Sequence, residues 1–405
     1  MSLPRAVITG YGCLSPLGDN AQETWEGMAN GRDAIAPIER IDLEDLNITL
    51  GGQVKRDLST MFENRLMRMY DRFTLLAIAA AQEALEHSGL EITEELAPRV
   101  GAVIGVGNCG WEAVEEGFKR MFVEGKKRAK IFAVPRAMPS APACNVSMQL
   151  GLKGPVFGVT SACASSNHAF ASGLQMIRSG QAEVVVAGGA EAPIMLGILR
   201  AWEALRVVAK DRCCPFDLER RGLILAEGSG VIILESLEHA QARGATIHAE
   251  FAGAGSSADA GDLVIPSPEG PTNALRNCLR DAKLNPEDVD YINAHGTGTK
   301  ANDSIECGVI RTVFGNHADK LSVSSTKSMH GHALGGAGAI EMMACIGAIK
   351  DNVVPPTINY QTPDPECNLD VTPNESRERQ VKAVLTNAFA FGGLNSVLAL
   401  TRFEG

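Results

Sequence analysis

The sequence predicts an α/β protein made of two similar halves. Three observations carry this reading. Short β-branched runs end in glycine again and again along the chain. Alanine-rich stretches of helical character lie between them. One helix–loop–strand–glycine unit occurs twice, nearly half a chain apart.

The strand-like runs are RAVITGYG (5–12), RVGAVIGVG (99–107), AEVVVAGGAEA (182–192), VDYINAHGTGT (289–299) and VKAVLTNAFAFGG (381–393). Continuous apolar runs of this length, closed by glycine, read as buried strands that open into tight turns. The helical stretches are 72–89, 167–180 and 338–352. Strands alternating with helices imply largely buried sheets. In the repeat, ALEHSGL (84–90), Pro98 and GAVIGVG answer to CLRDAKL (278–284), Pro286 and DYINAHG. Two copies indicate two halves rather than a solenoid. The segment 245–270 is rich in Gly, Ser and Pro and reads as the join, so the expected units are 1–250 and 251–405.

Composition bounds the function. The 405 residues are 45% hydrophobic and 21% charged, an ordinary globular balance with ample core. A formal charge of −11 argues against nucleic acid as the partner of the whole protein, while leaving room for a local basic patch. The ten cysteines are scattered without a CxxC pair, and only Cys213 and Cys214 are neighbours, so reduced thiols and a cytoplasmic setting are expected. MSLPRAVITGYG has no apolar signal core, and no stretch approaches 18 apolar residues, so no membrane span is expected.

Four segments carry chemistry. In TSACASSNHAF (160–170), Cys163 follows a strand-like FGVT and precedes the cap-type residues Ser165, Ser166 and Asn167. That places its sulfur near a helix N-terminus, where the macrodipole favours the thiolate. A buried structural cysteine fits the same stretch equally well. In NAHGTGT, His295 ends a strand and two glycines bring the backbone close to any ligand; a loop histidine bonded to its own turn is the alternative. In SSTKSMHGHALGGAGAIE, His332 is placed at a helix start, which disfavours imidazolium and leaves a neutral hydrogen-bond donor. Lys327 precedes it, and His330 is expected to face solvent. In NAFAFGGLNS, Phe391 beside Gly392 and Gly393 suits a gate, whereas Phe389 reads as core. His168 reads as a structural residue of the helix after Cys163.

Together these segments resemble a β-ketoacyl-acyl carrier protein synthase of the elongating type II group, over essentially the whole chain. The resemblance implies a thiolase-like fold, two similar halves layered α-β-α-β-α, in a homodimer. It implies Cys163 as nucleophile, His295 and His332 as donors to the thioester oxygen, and the backbone N–H groups of Cys163 and Phe391 as an oxyanion hole. Lys327 and Glu306 would form a charged network holding the histidines. Thr297 and Thr299 would bond a phosphopantetheine arm, and Asn108 and Trp202 would reach the acyl pocket. Arg65, Arg68, Lys127, Arg128 and Arg206 match carrier-docking positions. Asn293, Glu341 and Asn387 match a structural monovalent-cation site of some relatives. The implied reaction is a decarboxylative condensation of malonyl-carrier with acyl-Cys163, in fatty acid biosynthesis, with no cofactor. The Cys-His-His set separates this group from initiating synthases with Cys-His-Asn, from thiolases with a second cysteine, and from chain-length factors without the nucleophile. His330, Ala390 and Leu394 depart from the usual threonine, glycine and threonine. HGTGT, SSNHAF and FAFGGLN resemble the specialised condensing enzymes of rhizobial nodulation-factor chains, so that pathway, or a polyketide one, is the alternative. A cysteine hydrolase is a third reading.

Overall fold

The computed structural model describes residues 3–43 and 45–405. Its ten principal strands are β1 (Ala6–Leu14), β2 (Val100–Gly105), β3 (Val156–Val159), β4 (Val184–Glu191), β5 (Gly228–Ser236), β6 (Ala249–Ala258), β7 (Tyr291–Asn293), β8 (Ser322–Ser324), β9 (Ala383–Ala390) and β10 (Leu394–Thr401). The helices that matter here are α1 (Arg72–Ser88), α2 (Ser165–Arg178), α3 (Leu196–Leu205), α4 (Glu269–Ala282), α5 (Lys300–Phe314) and α6 (Ala337–Asp351).

The strands run in the order β8-β7-β9-β10-β6-β1-β5-β4-β2-β3. Read outward from the middle, the first half is β1-β5-β4-β2-β3 and the second is β6-β10-β9-β7-β8, the same order twice. The orientations repeat as well. β2 pairs in parallel with β3 and β4, and β7 with β8 and β9. The inner strands of both halves pair antiparallel. Between β1 and β6 only Val7–Glu250 and Ile8–Ala249 are paired, so the strands of the two halves meet along a short seam.

Burial explains the layering. α6 is buried from Ala337 to Ile349, apolar there except for Glu341, as a helix inside the molecule must be. α2 and α6 touch strands of both halves, and one core cluster joins them to both sets of strands. α1 covers the outer face of the first half, and α4 and α5 that of the second, over separate cores. The result is the α-β-α-β-α stack. Gly12 of β1 lies where a methyl group would overlap the Ala80 carbonyl of α1, and Gly255 of β6 meets the Ala274 carbonyl of α4 in the same way. Each half thus sets strand against helix at backbone distance.

The five glycine-ended runs and the three helical stretches appear where the sequence places them. The segment 245–270 does not. Its first part is β6, a ten-residue strand whose alternating small residues suit a sheet packed under a helix, so the irregular stretch shrinks to the loop before α4.

Candidate active site

β3 leads into a tight 3₁₀ turn, Ala162–Ala164, and then into α2. Ala162 takes φ +48°, a left-handed conformation for a residue with a β-carbon, which turns the chain sharply and presents Cys163. The Ser165 hydroxyl accepts from the Ser161 N–H at 2.9 Å and donates to the Ala162 carbonyl at 2.7 Å, bracing the turn. The small residues around Cys163 therefore serve a strained elbow.

His295 and His332 come to Cys163 from the other half. The Cys163 Sγ and a ring nitrogen of each histidine lie within 4.8 Å of one another, and all three residues are buried. The two imidazoles meet edge to face, 5.4 Å between centroids. His295 is held through its backbone. Its N–H donates to Glu306 Oε1 and the Gly296 N–H to Oε2, both at 2.8 Å, while Asn387 Nδ2 donates to Oε1 at 3.0 Å. Glu306 reaches there from α5, and burial pushes its carboxyl up to about 7.

Lys327 is fully buried and forms an ion pair with Glu341 of α6. The expected Lys327–Glu306 network is therefore two separate devices, an ion pair and a backbone clamp. Glu341, read from sequence as a cation ligand, spends Oε1 on the lysine. Asn293 bonds the Tyr291 hydroxyl at 3.1 Å, and of the three cation-site residues Asn387 keeps a buried Oδ1 without a hydrogen-bond partner.

Both histidines are held well below the ordinary imidazole range, first by burial and then by the Lys327 charge. The neutral state expected for His332 holds, but for a different reason. Four residues, three of them in a 3₁₀ turn, separate His332 from α6, so the helix terminus does not act on it directly. Neither of its ring nitrogens has a hydrogen-bond partner. His330 is fully buried rather than solvent-facing, with Nε2 3.1 Å from the Thr326 hydroxyl, and burial pushes it down to about 3.

The thiol also corrects the sequence reading. Burial pushes Cys163 up to about 12; the Lys327 charge and the backbone N–H groups of Cys163 and Phe391 pull down, and the Glu191 carboxyl pulls up. Loss of water outweighs the favourable helix start, because a buried thiolate forfeits its whole hydration shell.

A cavity of about 190 Å³ opens over the sulfur. Trp202, Thr297, Thr299, Phe389 and Phe391 line it with the histidines, as do Leu263, Val264 and Ile265 from the loop after β6, which no sequence signal pointed to. Thr297 and Thr299 bond each other at 2.9 Å. Phe389, read as core, packs on His295 at 6.2 Å between centroids. Asn108 is not in this wall. It lies against the Glu191 carboxyl, which the sequence reading missed although a carboxylate ending the buried run AEVVVAGGAE is a signal for it. Glu191 is fully buried, accepts from the Gly107 N–H at 2.7 Å and the Gly335 N–H at 3.2 Å, and burial raises it to about 8.

A second cleft, about 890 Å³, is lined by Arg40, Arg65, Arg68, Lys119, Lys130 and Arg136 among others. Lys127 and Arg128 are exposed on the adjoining segment, and Arg206 is exposed where α3 ends.

Residues 4–240 match the profile described as "Beta-ketoacyl synthase, N-terminal domain", and residues 248–361 match "Beta-ketoacyl synthase, C-terminal domain". The chain belongs to the β-ketoacyl synthase family. This synthase is 55% identical to "Nodulation protein E" of Rhizobium sp. (strain N33) over 98% of both chains. It is 40% identical to "3-oxoacyl-[acyl-carrier-protein] synthase 2" of Staphylococcus aureus (strain COL) over 99% of both. Its fold is similar, with a TM-score of 0.91 and 31% identity over 99% of this synthase and 100% of the other chain, to the solved "AntDE:AntF (apo): type II PKS acyl-carrier protein in complex with its ketosynthase bound to the hexaketide".

Proposed function

We propose that this synthase is a 3-oxoacyl-[acyl-carrier-protein] synthase that extends a carrier-bound acyl chain by two carbons. The observation that carries this is one thiol beside two neutral imidazoles, His332 having both ring nitrogens unpartnered. Cys163 gives its proton to an adjacent imidazole as its sulfur attacks the acyl thioester. The carrier thiol leaves with a proton, and the amides of Cys163 and Phe391 hold the transient oxyanion. Malonyl-carrier then binds. Its C–CO₂ bond breaks, CO₂ departs, and the electron pair becomes an enolate whose oxygen receives hydrogen bonds from His295 and His332. The enolate carbon bonds the acyl carbon and the Cys163 sulfur leaves. Neutral imidazoles suit this role: they donate hydrogen bonds without protonating the carbanion. Phe391 gates the acyl cavity, and Thr297 and Thr299 serve the phosphopantetheine arm.

The higher identity to nodulation protein E than to synthase 2, 55% against 40%, favours a specialised acyl pathway as the second reading. A hydrolase would use water as acceptor and would have no use for a second imidazole with free nitrogens. Mass spectrometry of the purified protein with acyl-carrier and malonyl-carrier decides. A ketoacyl product two carbons longer is expected, lost in Cys163→Ala; free acid alone, or activity retained in that variant, overturns the assignment.

An acidic carrier protein meets an acidic enzyme through a local basic surface. We assign that surface to Arg65, Arg68, Lys127, Arg128 and Arg206, supported by Arg65 and Arg68 lining a cleft in which cations outnumber the glutamates Glu112, Glu115 and Glu116. Lys127→Glu with Arg128→Glu is expected to raise KM for acyl-carrier several-fold with Cys163 alkylation unchanged; unaltered carrier kinetics would remove both from the surface. We also assign a homodimer. β3 is a short edge strand carrying the 41%-exposed Phe157, and a separate stretch exposes Phe122, Ile131 and Val134; such edges and apolar residues are covered in stable proteins. The two halves expected at 1–250 and 251–405 are proposed for each subunit with the boundary moved ahead of β6, to 1–248 and 249–405, because a cut after residue 250 would fall inside that strand. Among the described residues no helix is long and apolar enough to cross a membrane. With ten free cysteines, we place the protein in the cytoplasm.

A further inference from the structure

The indole of Trp202 stacks on Phe391, 5.9 Å between ring centroids and 22° between planes. Both rings line the cavity over Cys163. Phe391 is tethered by a backbone that turns easily: Gly392 and Gly393 follow it at φ +80° and +68°. On the far side, the Gly392 N–H is tied to the Leu263 carbonyl at 2.8 Å. Backbone freedom on this scale lets the phenyl ring swing unless a neighbour fixes it.

Trp202 is well placed to be that neighbour because α3 is pinned at both ends. The Gly197 N–H donates to Glu115 at 3.0 Å, and Glu203 accepts from the Asn47 N–H at 2.7 Å. Just ahead of the helix, Arg40 donates to the Ile194 carbonyl at 2.8 Å. A half-buried indole on an anchored helix is a fixed wall for the phenyl ring.

We propose that Trp202 is a positioning residue which holds Phe391 in the closed setting, so that the stack must break each time an acyl chain enters. This rests on reading the Cys163 cavity as the acyl site. The Phe391 amide also acts on the Cys163 sulfur, so releasing the ring loosens the oxyanion hole along with the gate. The stack favours slim, flexible chains that can displace the ring and penalises bulky or short ones that cannot.

The test compares wild type with Trp202→Ala and Trp202→Phe. Cys163 alkylation by iodoacetamide reads access without needing condensation. Loss of one aromatic pair predicts alkylation roughly two- to tenfold faster in the alanine variant, with the phenylalanine variant near wild type. In condensation assays, Trp202→Ala should lower kcat more than it alters KM and flatten the preference among acyl-carriers, with rescue by phenylalanine. The emission difference between wild type and Trp202→Phe isolates Trp202, and should change when Cys163 is acylated. An alanine variant with wild-type melting temperature and wild-type alkylation rate, or an indole signal indifferent to acylation, overturns the proposal. Altered alkylation with no condensation in any variant would overturn the condensing reading and leave the gate standing.

Discussion

Lys327 shows how much one buried residue can decide. Its ammonium and the Glu341 carboxylate are both out of water, and each makes the other tolerable. Truncating one partner leaves an uncompensated charge, at a cost on the order of 3–5 kcal/mol. Lys327→Ala is therefore expected to lose about that much stability in a denaturant titration, and Lys327→Met with Glu341→Leu to recover much of it. A single variant within about 1 kcal/mol of wild type would mean the pair is not ionised in the fold. The residue types of the site were legible in the sequence, because Cys163, His295, Lys327 and His332 sit in segments too small and too glycine-rich for ordinary core. Their states were not. The Cys163 thiol is raised, His330 is buried and His332 stands clear of the helix start. The first two outcomes depend on how much water the surrounding structure excludes, and no local window contains that quantity.

At the scale of elements, the nucleophile's turn is set by what presses on it. Gly105 ends β2 directly beneath the first residue of α2, and a methyl group there would overlap the Ser165 backbone. Backbone cannot step aside as a side chain can. Gly105→Ala is expected to destabilise by about 1–3 kcal/mol, as overpacked cores do, and to slow Cys163 acylation, because the 3₁₀ turn moves with the helix. Normal melting with normal acylation would show that β2 has room to give. The glycine-ended strands and alanine-rich helices were readable because period and composition are local. β6 was misread as a linker, since a strand of Ala, Gly and Ser has the composition of a loop and earns its structure only from β10 and β1 beside it.

Across the whole molecule, buried carboxyls make stability depend on pH. Among the described residues no cation pairs with Glu191, and burial pushes its carboxyl up to about 8, against an ordinary value of about 4.5. A group raised by folding binds its proton more tightly in the native state. Its contribution is complete below about pH 4.5 and is lost as pH rises through 8. Glu191→Gln keeps an oxygen for the Gly107 and Gly335 amides and removes the titration. The fall in unfolding free energy between pH 5 and 8 should shrink in this variant by an amount on the order of a few kcal/mol. An unchanged slope would mean Glu191 is ionised throughout. The sequence by itself determined the fold class, the doubling of the chain and which side chains do chemistry, because these are written in local period, in the repeat and in residue type. Tertiary structure alone decided that the Cys163 turn meets His295 and His332 across the two halves, that Lys327 pairs with Glu341 while Glu306 clamps a loop, and that Trp202 lies on Phe391. Those are contacts between distant segments, and their energies come from water excluded jointly by both halves.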